Sequence, residues 1–315
     1  MKQTNSQENE DKYISLYSKI FVDNESATDF CVKEKLFVTS IECKKCGVDN
    51  MEIKKYKQGL NSLCYRCKNK DCRSRKSIST GFVLGNLKLK CNIILRAIFC
   101  FLMNFNNYQS LNLLKIDEKT FIKIKKLIYS KIKNHFNNNI IQLGGTEISV
   151  QCDETAICNG LIISNPSKTD DERPDIQWIL GIIEETSEKK CILVPVPNRK
   201  VETIAGVFHK HVKRGSILKT DGYPTYPKAA SLSKLTHKIV NHSKGFVAED
   251  GTHTNLIEGV WGHFKTLYRS KHGLSKNNLN FFIDEYNWKK NFFKVKKEKN
   301  IKEIFKQLIS MIKEN

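Results

Sequence analysis

Residues 146–154 read TEISVQCDE, and this stretch decides the fold of the second half of the chain. Apolar Ile148, Val150 and Cys152 alternate with Ser149, Gln151 and Asp153, the period-two pattern of a strand with two unlike faces. An acid stands at the far end of its polar face. After a loop rich in Asn, Pro and Asp (158–175), IQWILGIIEE (176–185) and CILVPVP (191–197) read as two further strands, joined by the turn TSEKK. KVETIAGVFHKHVKRG (200–215) reads as a helix and SILKTDG (216–222) as a strand. YPTYPKAASL (223–232) is a short helical or looped connection, HKIVNH (237–242) a strand, and NLIEGVWGHFKTLYRS (255–270) a helix.

Three strands in succession, followed by strands alternating with helices, imply a mixed sheet with helices packed on it. This is the element order of the α/β ribonuclease-H-like fold. Upstream of the linker LGG at 143–145, which marks a boundary, residues 87–136 are helical in pattern. Leu89, Ile93, Ile94, Ala97, Ile98 and Phe101 recur at helical spacing. After NFNN (104–107) come YQSLNLLK and DEKTFIKIKKLIYSKIKNHF, the latter capped by Asp117 or its neighbour, with Phe121, Ile124, Leu127, Ile128 and Ile132 on its apolar face. Short helices ending in a Lys-rich one fit a helix-turn-helix, with Lys125 and Lys126 as candidate DNA contacts. A helical spacer or dimerisation element fits the pattern equally well.

Further upstream, Cys43-x2-Cys46 is followed by Cys64-x2-Cys67 and then Cys72. Close cysteine pairs separated by a ribbon-length segment are the spacing of a tetrahedral structural Zn²⁺ site. Five cysteines compete for four places: Cys43 and Cys46 with Cys67 and Cys72 is the expected set, and Cys64 is the alternative. The glycine after Cys46 suits a knuckle turn. Arg73, Arg75 and Lys76 beside the second knuckle are candidate DNA contacts. Cys91, Cys100, Cys152, Cys158 and Cys191 sit in apolar patterns and are expected in the core.

The composition agrees with an anionic partner. Fifty-three Lys and Arg against 33 Asp and Glu leave a formal charge of +20, a surplus suited to phosphate backbones. Hydrophobic residues make up 40% of the chain, which excludes a disordered tail. Eleven cysteines in 315 residues, behind the polar opening MKQTNSQENEDKY, do not suit a secreted disulfide scaffold. The richest apolar run, IILRAIFCFLM (93–103), is shorter than the ~20 residues a bilayer requires and contains an Arg. An intracellular protein with reduced thiols and no membrane association is expected.

Asp153 ends the first strand of the second half, Asp221 ends the fourth, and Glu258 lies in the first turn of the last helix. In a ribonuclease-H-like sheet the first and fourth strands are neighbours, so the two aspartates meet and the helix can lay Glu258 beside them. Hard oxygen donors of this kind suit two Mg²⁺ or Mn²⁺ ions, which promote in-line phosphoryl displacement. Glu154 points to the opposite face from Asp153. Glu258, Gly262, Lys265 and Arg269 fall on one helical stripe, along which a DNA backbone could lie.

CDET, WILGIIE, NRKVETIAGVFHKHVKRGS, KTDGYPTY, VNHSKGFV and GTHTNLIEGVWGHFK, in that order, resemble the catalytic domain of Merlin-type DDE transposases, eukaryotic relatives of a bacterial insertion-sequence (XO-like) group. CKKCG and YRCKNKDCRSRKSISTGF resemble the zinc ribbon preceding that domain. The resemblance covers residues 41–293. It implies binding of terminal inverted repeats, metal-dependent cleavage and transfer of the 3′ end to target DNA, by a homodimer or higher oligomer on DNA. It makes Asp153, Asp221 and Glu258 the catalytic, metal-binding triad, with Asn255 in reserve at the third position and His242 and His253 unassigned. It also implies nuclear placement in a eukaryote, or the cytoplasm in a prokaryote. The expected divisions are an unassigned segment (1–40), the zinc ribbon (41–80), a helical DNA-binding region (86–142), the catalytic domain (146–293) and a basic C-terminal helix (294–315). A non-catalytic, domesticated zinc-ribbon DNA-binding protein and a nuclease without joining activity are the competing readings.

Overall fold

The computed structural model describes residues 14–47, 51–163, 166, 173–240, 254–271, 274–292 and 301–313. The chain divides into two compact units, residues 1–135 with 295–315, and residues 136–294.

The first unit opens with α1 (Lys19–Val22) and α2 (Asn24–Lys33), the latter capped by Asp23, which accepts from the Ser26 amide. An antiparallel sheet follows in the order β1 (Ser40–Ile41), β2 (Met51–Lys55), β3 (Leu63–Cys67), β4 (Arg75–Ser77). Tyr65 is buried in its centre and donates to the Val38 carbonyl at 2.7 Å. Three helices then run in succession: α3 (Cys91–Leu102), α4 (Asn107–Leu114) and α5 (Glu118–Asn138). Asn106 and Gln109 form a reciprocal capping box on α4. Asp117 caps α5, accepting from the Thr120 amide and hydroxyl at 2.8 and 2.6 Å. Phe121, Ile124, Ile128 and Ile132 bury the face that their spacing predicts.

The C-terminal helix, Ile301–Lys313, belongs to this first unit although the sequence sets it apart as a basic tail. Its Phe305 lies edge-on to Phe21 at 5.6 Å and close to Phe99 at 6.2 Å. Ile304, Leu308, Ile309 and Ile312 are fully buried, so the apolar stripe outweighs the lysines in deciding where the helix goes.

The second unit holds β5 (Ser149–Cys158), β6 (Leu161–Ile163), β7 (Ile176–Glu184), β8 (Cys191–Val196), α6 (Val201–His211), β9 (Ile217–Thr220), α7 (Tyr226–Leu232), β10 (Thr236–Ile239), α8 (Asn255–Arg269) and α9 (Lys276–Phe292). The sheet order is β10-β9-β5-β7-β8, with β6 paired to the end of β5. β7 runs antiparallel to both of its neighbours, β5 and β8, whereas β9 and β10 run parallel to β5. Both faces are covered. Val150, Cys152, Ala156, Leu180 and Ile182 pack against α6 and α7, while Ile157, Ile179, Ile183 and Leu193 pack against α8 and α9. That double burial explains why β7 reads as a continuous apolar run and does not alternate.

Leu143–Gly145 joins this unit by specific bonds, where a linker was expected. The Leu143 amide donates to His211 O at 2.8 Å and the Gly145 amide to Ser216 Oγ at 2.9 Å. Gly144 has φ +75°, and a Cβ there would stand 2.3 Å from Ser216 Oγ, so its glycine serves close approach to the sheet.

The outer strand β8 is finished by α9. Asn287 bonds both the amide and the carbonyl of Leu193 at 2.8 Å, and Asn291 does the same for Cys191 at 3.0 and 2.7 Å. The next outward-facing position is Pro195, which has no amide proton.

Candidate functional site

Parallel β5 and β9 pair Ser149 with Ile217, Val150 with Leu218 and Gln151 with Lys219, an offset of 68 residues. Asp153 and Asp221 are separated by the same 68 positions, so they stand at equal height on neighbouring strands. Asp221 lies just past β9, its Oδ1 accepting the Tyr223 amide at 3.0 Å. The Asp153 carboxyl is pushed up to about 7, first by burial and then by the negative charges of Glu154 and Asp221. The indole N–H of Trp261 is turned toward this carboxylate and acts in the opposite direction, without completing a hydrogen bond.

Glu258 lies on the first turn of α8, exposed, and accepts from the Thr254 hydroxyl at 3.2 Å. The two amides before it, those of Leu256 and Ile257, donate to Gln151 Oε1 at 3.0 and 3.1 Å. The helix start is thereby tied to the strand carrying Asp153, two residues before it. Asn255 is exposed at the first position of the helix. Gly262, Lys265 and Arg269 continue the Glu258 stripe, with Gly262 and Arg269 exposed and Lys265 half-buried. His242 and His253 lie outside the described residues.

Glu154 points the other way, as the alternation requires. Arg199 Nη1 donates to its Oε1 at 2.8 Å, and the Tyr226 hydroxyl bonds its second oxygen. Arg199 is sandwiched between the rings of Trp178 and Tyr223, 3.9 and 4.1 Å from their centroids. Burial raises the Glu154 pKa, and the Tyr226 and Arg199 bonds oppose that rise. A carboxylate saturated by its own cation is a structural element, not a free ligand.

In the first unit the sulfurs of Cys43, Cys46, Cys67 and Cys72 all lie within 4.8 Å of one another. The Cys43–Cys72 and Cys46–Cys67 separations are 3.7 and 3.5 Å. A tetrahedron with Zn–S bonds of about 2.3 Å has S···S edges of about 3.8 Å, so the cluster is compatible with a zinc ribbon. Cys64 is outside the group, buried in β3 opposite Ser77. The first knuckle closes by Gly47 N donating to Cys43 O at 2.8 Å, with Gly47 at φ +71°. The second is longer: Cys72 and Arg73 both donate to Asn69 O, and Arg73 takes φ +47°. Ser74 Oγ lies 2.9 Å from Cys43 Sγ, and this contact is the main cause of a thiol pKa lowered to about 6, which favours the thiolate a metal needs.

Of the basic candidates, Arg73 and Arg75 are exposed and Lys76 is half-buried. Arg75 lies over the Tyr56 ring at 4.8 Å. Lys126 is exposed on α5, whereas Lys125 is half-buried and bonds Asn107 at 3.4 Å. Cys91, Cys100, Cys152 and Cys191 are buried as expected, while Cys158 is half-buried beside Arg173 and Asp175.

Sequence reading passed over two residues that shape the site. Gly181 pairs with Asp153 across β5 and β7, and a Cβ on it would stand 2.7 Å from the Trp261 ring. The glycine lets α8 settle onto the sheet beside Asp153, and its signal was a lone Gly inside the apolar run WILGIIE. Gln151, completely buried on the Asp153 face, gave no signal beyond alternation.

A mixed sheet with helices on both faces, in a chain that also has a four-cysteine cluster compatible with a zinc ribbon, defines a mixed α/β protein. Residues 143–291 match the ISXO2-like transposase domain. A transposase-like protein of Haemophilus influenzae is 30% identical over 120 residues, spanning 38% of this chain and 94% of that protein. The chain belongs to the ISXO2-like transposase family. The relative is bacterial, which lends no support to nuclear placement. Among the described residues, no helix is long and apolar enough to cross a membrane.

Proposed function

We propose that the chain is a DDE transposase that binds the terminal inverted repeats of its element, cleaves them and joins the 3′ ends to target DNA. The observation that carries this reading is the pair formed by Asp153 on β5 and Asp221 just past the end of β9, at the same register interval, inside the segment that matches the transposase domain. The sheet order, with β5 central and β9 beside it in parallel, supports a ribonuclease-H-like core. The motifs quoted above, ribbon included, support a Merlin-type member.

In this reading Asp153 and Asp221 hold the metal and Glu258 is the third ligand, with Asn255 the alternative. The donor set fits a hard cation: both groups offer carboxylate oxygens, and Asp153, raised first by burial and then by the charges of Glu154 and Asp221, gains from a positive ion beside it. Mg²⁺ or Mn²⁺, when bound, supplies the positive charge that in-line displacement at phosphorus requires. The chain's own residues set the geometry. Gly181 admits Trp261 against the sheet, Thr254 steadies Glu258, and Lys265 and Arg269 offer phosphate contacts along the exposed stripe. Cys43, Cys46, Cys67 and Cys72 hold a structural Zn²⁺. Arg73, Arg75 and Lys76, with Lys125 and Lys126 of a helix-turn-helix, engage DNA, and the working form is a homodimer or higher oligomer on DNA.

The test is cleavage and joining of the element's own ends with Mg²⁺ or Mn²⁺. Asp221→Asn is expected to lower both by at least about three orders of magnitude while end binding persists. Cleavage without joining points to a nuclease, and binding without cleavage in the unmodified protein points to a non-catalytic DNA-binding protein.

A further inference from the structure

The first turn of α8 is capped from outside its own chain segment. An N-cap side chain ordinarily accepts from the second or third helical amide. Thr254 makes no such bond, and its hydroxyl donates to Glu258. The Leu256 and Ile257 amides are taken by Gln151 Oε1, from a residue 105 positions before Leu256. Gln151 is completely buried, and its Nε2 donates to Glu185 Oε1 at 2.5 Å. Glu185 in turn accepts from Lys219 Nζ at 2.7 Å, with the two side chains only 20% and 13% exposed. Gln151 and Lys219 are register partners, so they form the rung of the β5–β9 pair two residues before Asp153 and Asp221.

The chemistry of the rung fixes how the amide lies. The Lys219–Glu185 pair presents an acceptor to Gln151 Nε2, which leaves Oε1 for the helix. A hydrocarbon at 151 would strand two buried amides, and a carboxylate would meet Glu185 head-on. We propose that Gln151, oriented by Glu185 and Lys219, is the positioning residue that sets Glu258 against the Asp153–Asp221 pair. This rests on the carboxylate reading of the site. Gln151 touches neither DNA nor metal in this role; it holds the strand and the helix whose acids must converge.

A charge-neutral exchange tests it. Mn²⁺ binding to the full chain is titrated for the unmodified protein, Gln151→Glu, Glu185→Gln, the double variant and Asp153→Asn, with thermal melting alongside. Gln151→Glu is expected to weaken Mn²⁺ about tenfold or more, the equivalent of a buried hydrogen bond left unmade. Glu185→Gln, which lets the amide turn, weakens it by less. The double variant should return to within about threefold of the unmodified protein, because Glu at 151 accepts the helix amides while Gln at 185 donates to it and accepts Lys219. A purely electrostatic role would instead tighten Mn²⁺ in Gln151→Glu, which overturns the proposal. So do melting temperatures that fall while Mn²⁺ affinity stays constant. If Gln151→Glu does not fold, Glu185→Gln and its recovery in the double variant decide the matter. Unmodified protein binding Mn²⁺ no better than Asp153→Asn overturns the carboxylate reading itself, and this inference with it.

Discussion

The two candidate metal centres are built in opposite ways. The cysteine cluster draws on two short turns, Cys43–Gly47 and Cys67–Arg73, each closed by its own backbone bonds. The carboxylate centre has no local unit: Asp153, Asp221 and Glu258 come from a strand, the end of another strand and a helix, and only the β5–β9 register and the grip on α8 relate them. One centre would be organised by the metal it holds, the other by the fold around it. Soft ligands on two separate turns cost little to leave apart until Zn²⁺ gathers them. Like-charged carboxylates repel one another, and a packed sheet has to hold them together.

Zinc removal should divide the two most sharply. Chelation, or Cys72→Ser, is expected to abolish the thermal transition of the first unit and leave that of residues 136–294, since structural zinc contributes about 10–16 kcal/mol in small zinc domains. Calorimetry with metal analysis, expecting about one zinc per chain, reads this out. Cys64→Ser should retain the zinc; its loss there would restore Cys64 to the ligand set.

A smaller blow should break the second centre alone. Gly181→Ala places a methyl 2.7 Å from Trp261, an overpacking that costs about 1–3 kcal/mol. Lower melting and lower strand cleavage are expected together, because Trp261 shares a helix with Glu258. Gly206→Ala, with no atom within 4 Å of the added carbon, is the control and should be neutral or stabilising. Equal behaviour of the two variants would remove Gly181 from the site.

The smallest effect is electrostatic. Because Asp153 is raised from 3.8 to about 7, the folded protein binds its proton more tightly than the unfolded chain. Its ionisation therefore destabilises the metal-free protein as pH climbs from about 4 through 7. Asp153→Asn should melt higher than the unmodified protein above pH 7, with the advantage fading toward pH 4. Added Mn²⁺ should reverse the order by stabilising only the unmodified protein. An advantage independent of pH would assign it to packing.

The contrast also explains what could be read beforehand. Cys43, Cys46, Cys67 and Cys72 were legible because ligand spacing within a turn is a property of sequence alone, and Asp117 was legible as a cap for the same reason. Most of the element order followed from alternation and helix periodicity, although β6 (Leu161–Ile163) stands where a loop was expected. Asp153 and Asp221 could be paired because a parallel register turns a sequence interval into a height. Gln151 and Gly181 could not, since what matters is the helix that descends on them, more than seventy residues away. Leu143–Gly145 misled for a related reason: two glycines look alike whether they loosen a chain or let it press against Ser216.

The amides of Asn287 and Asn291 act as a counterfeit strand. β8 presents three outward-facing positions, and two are answered by these side chains while the third, Pro195, has no proton to offer. The sheet is therefore closed to extension along this side, and no second polypeptide can zip onto β8 without first evicting α9. For a protein expected to gather in copies on DNA, that closure matters. Along this side, any copies gathered on DNA would be denied a strand-to-strand contact, and association there would fall to side chains.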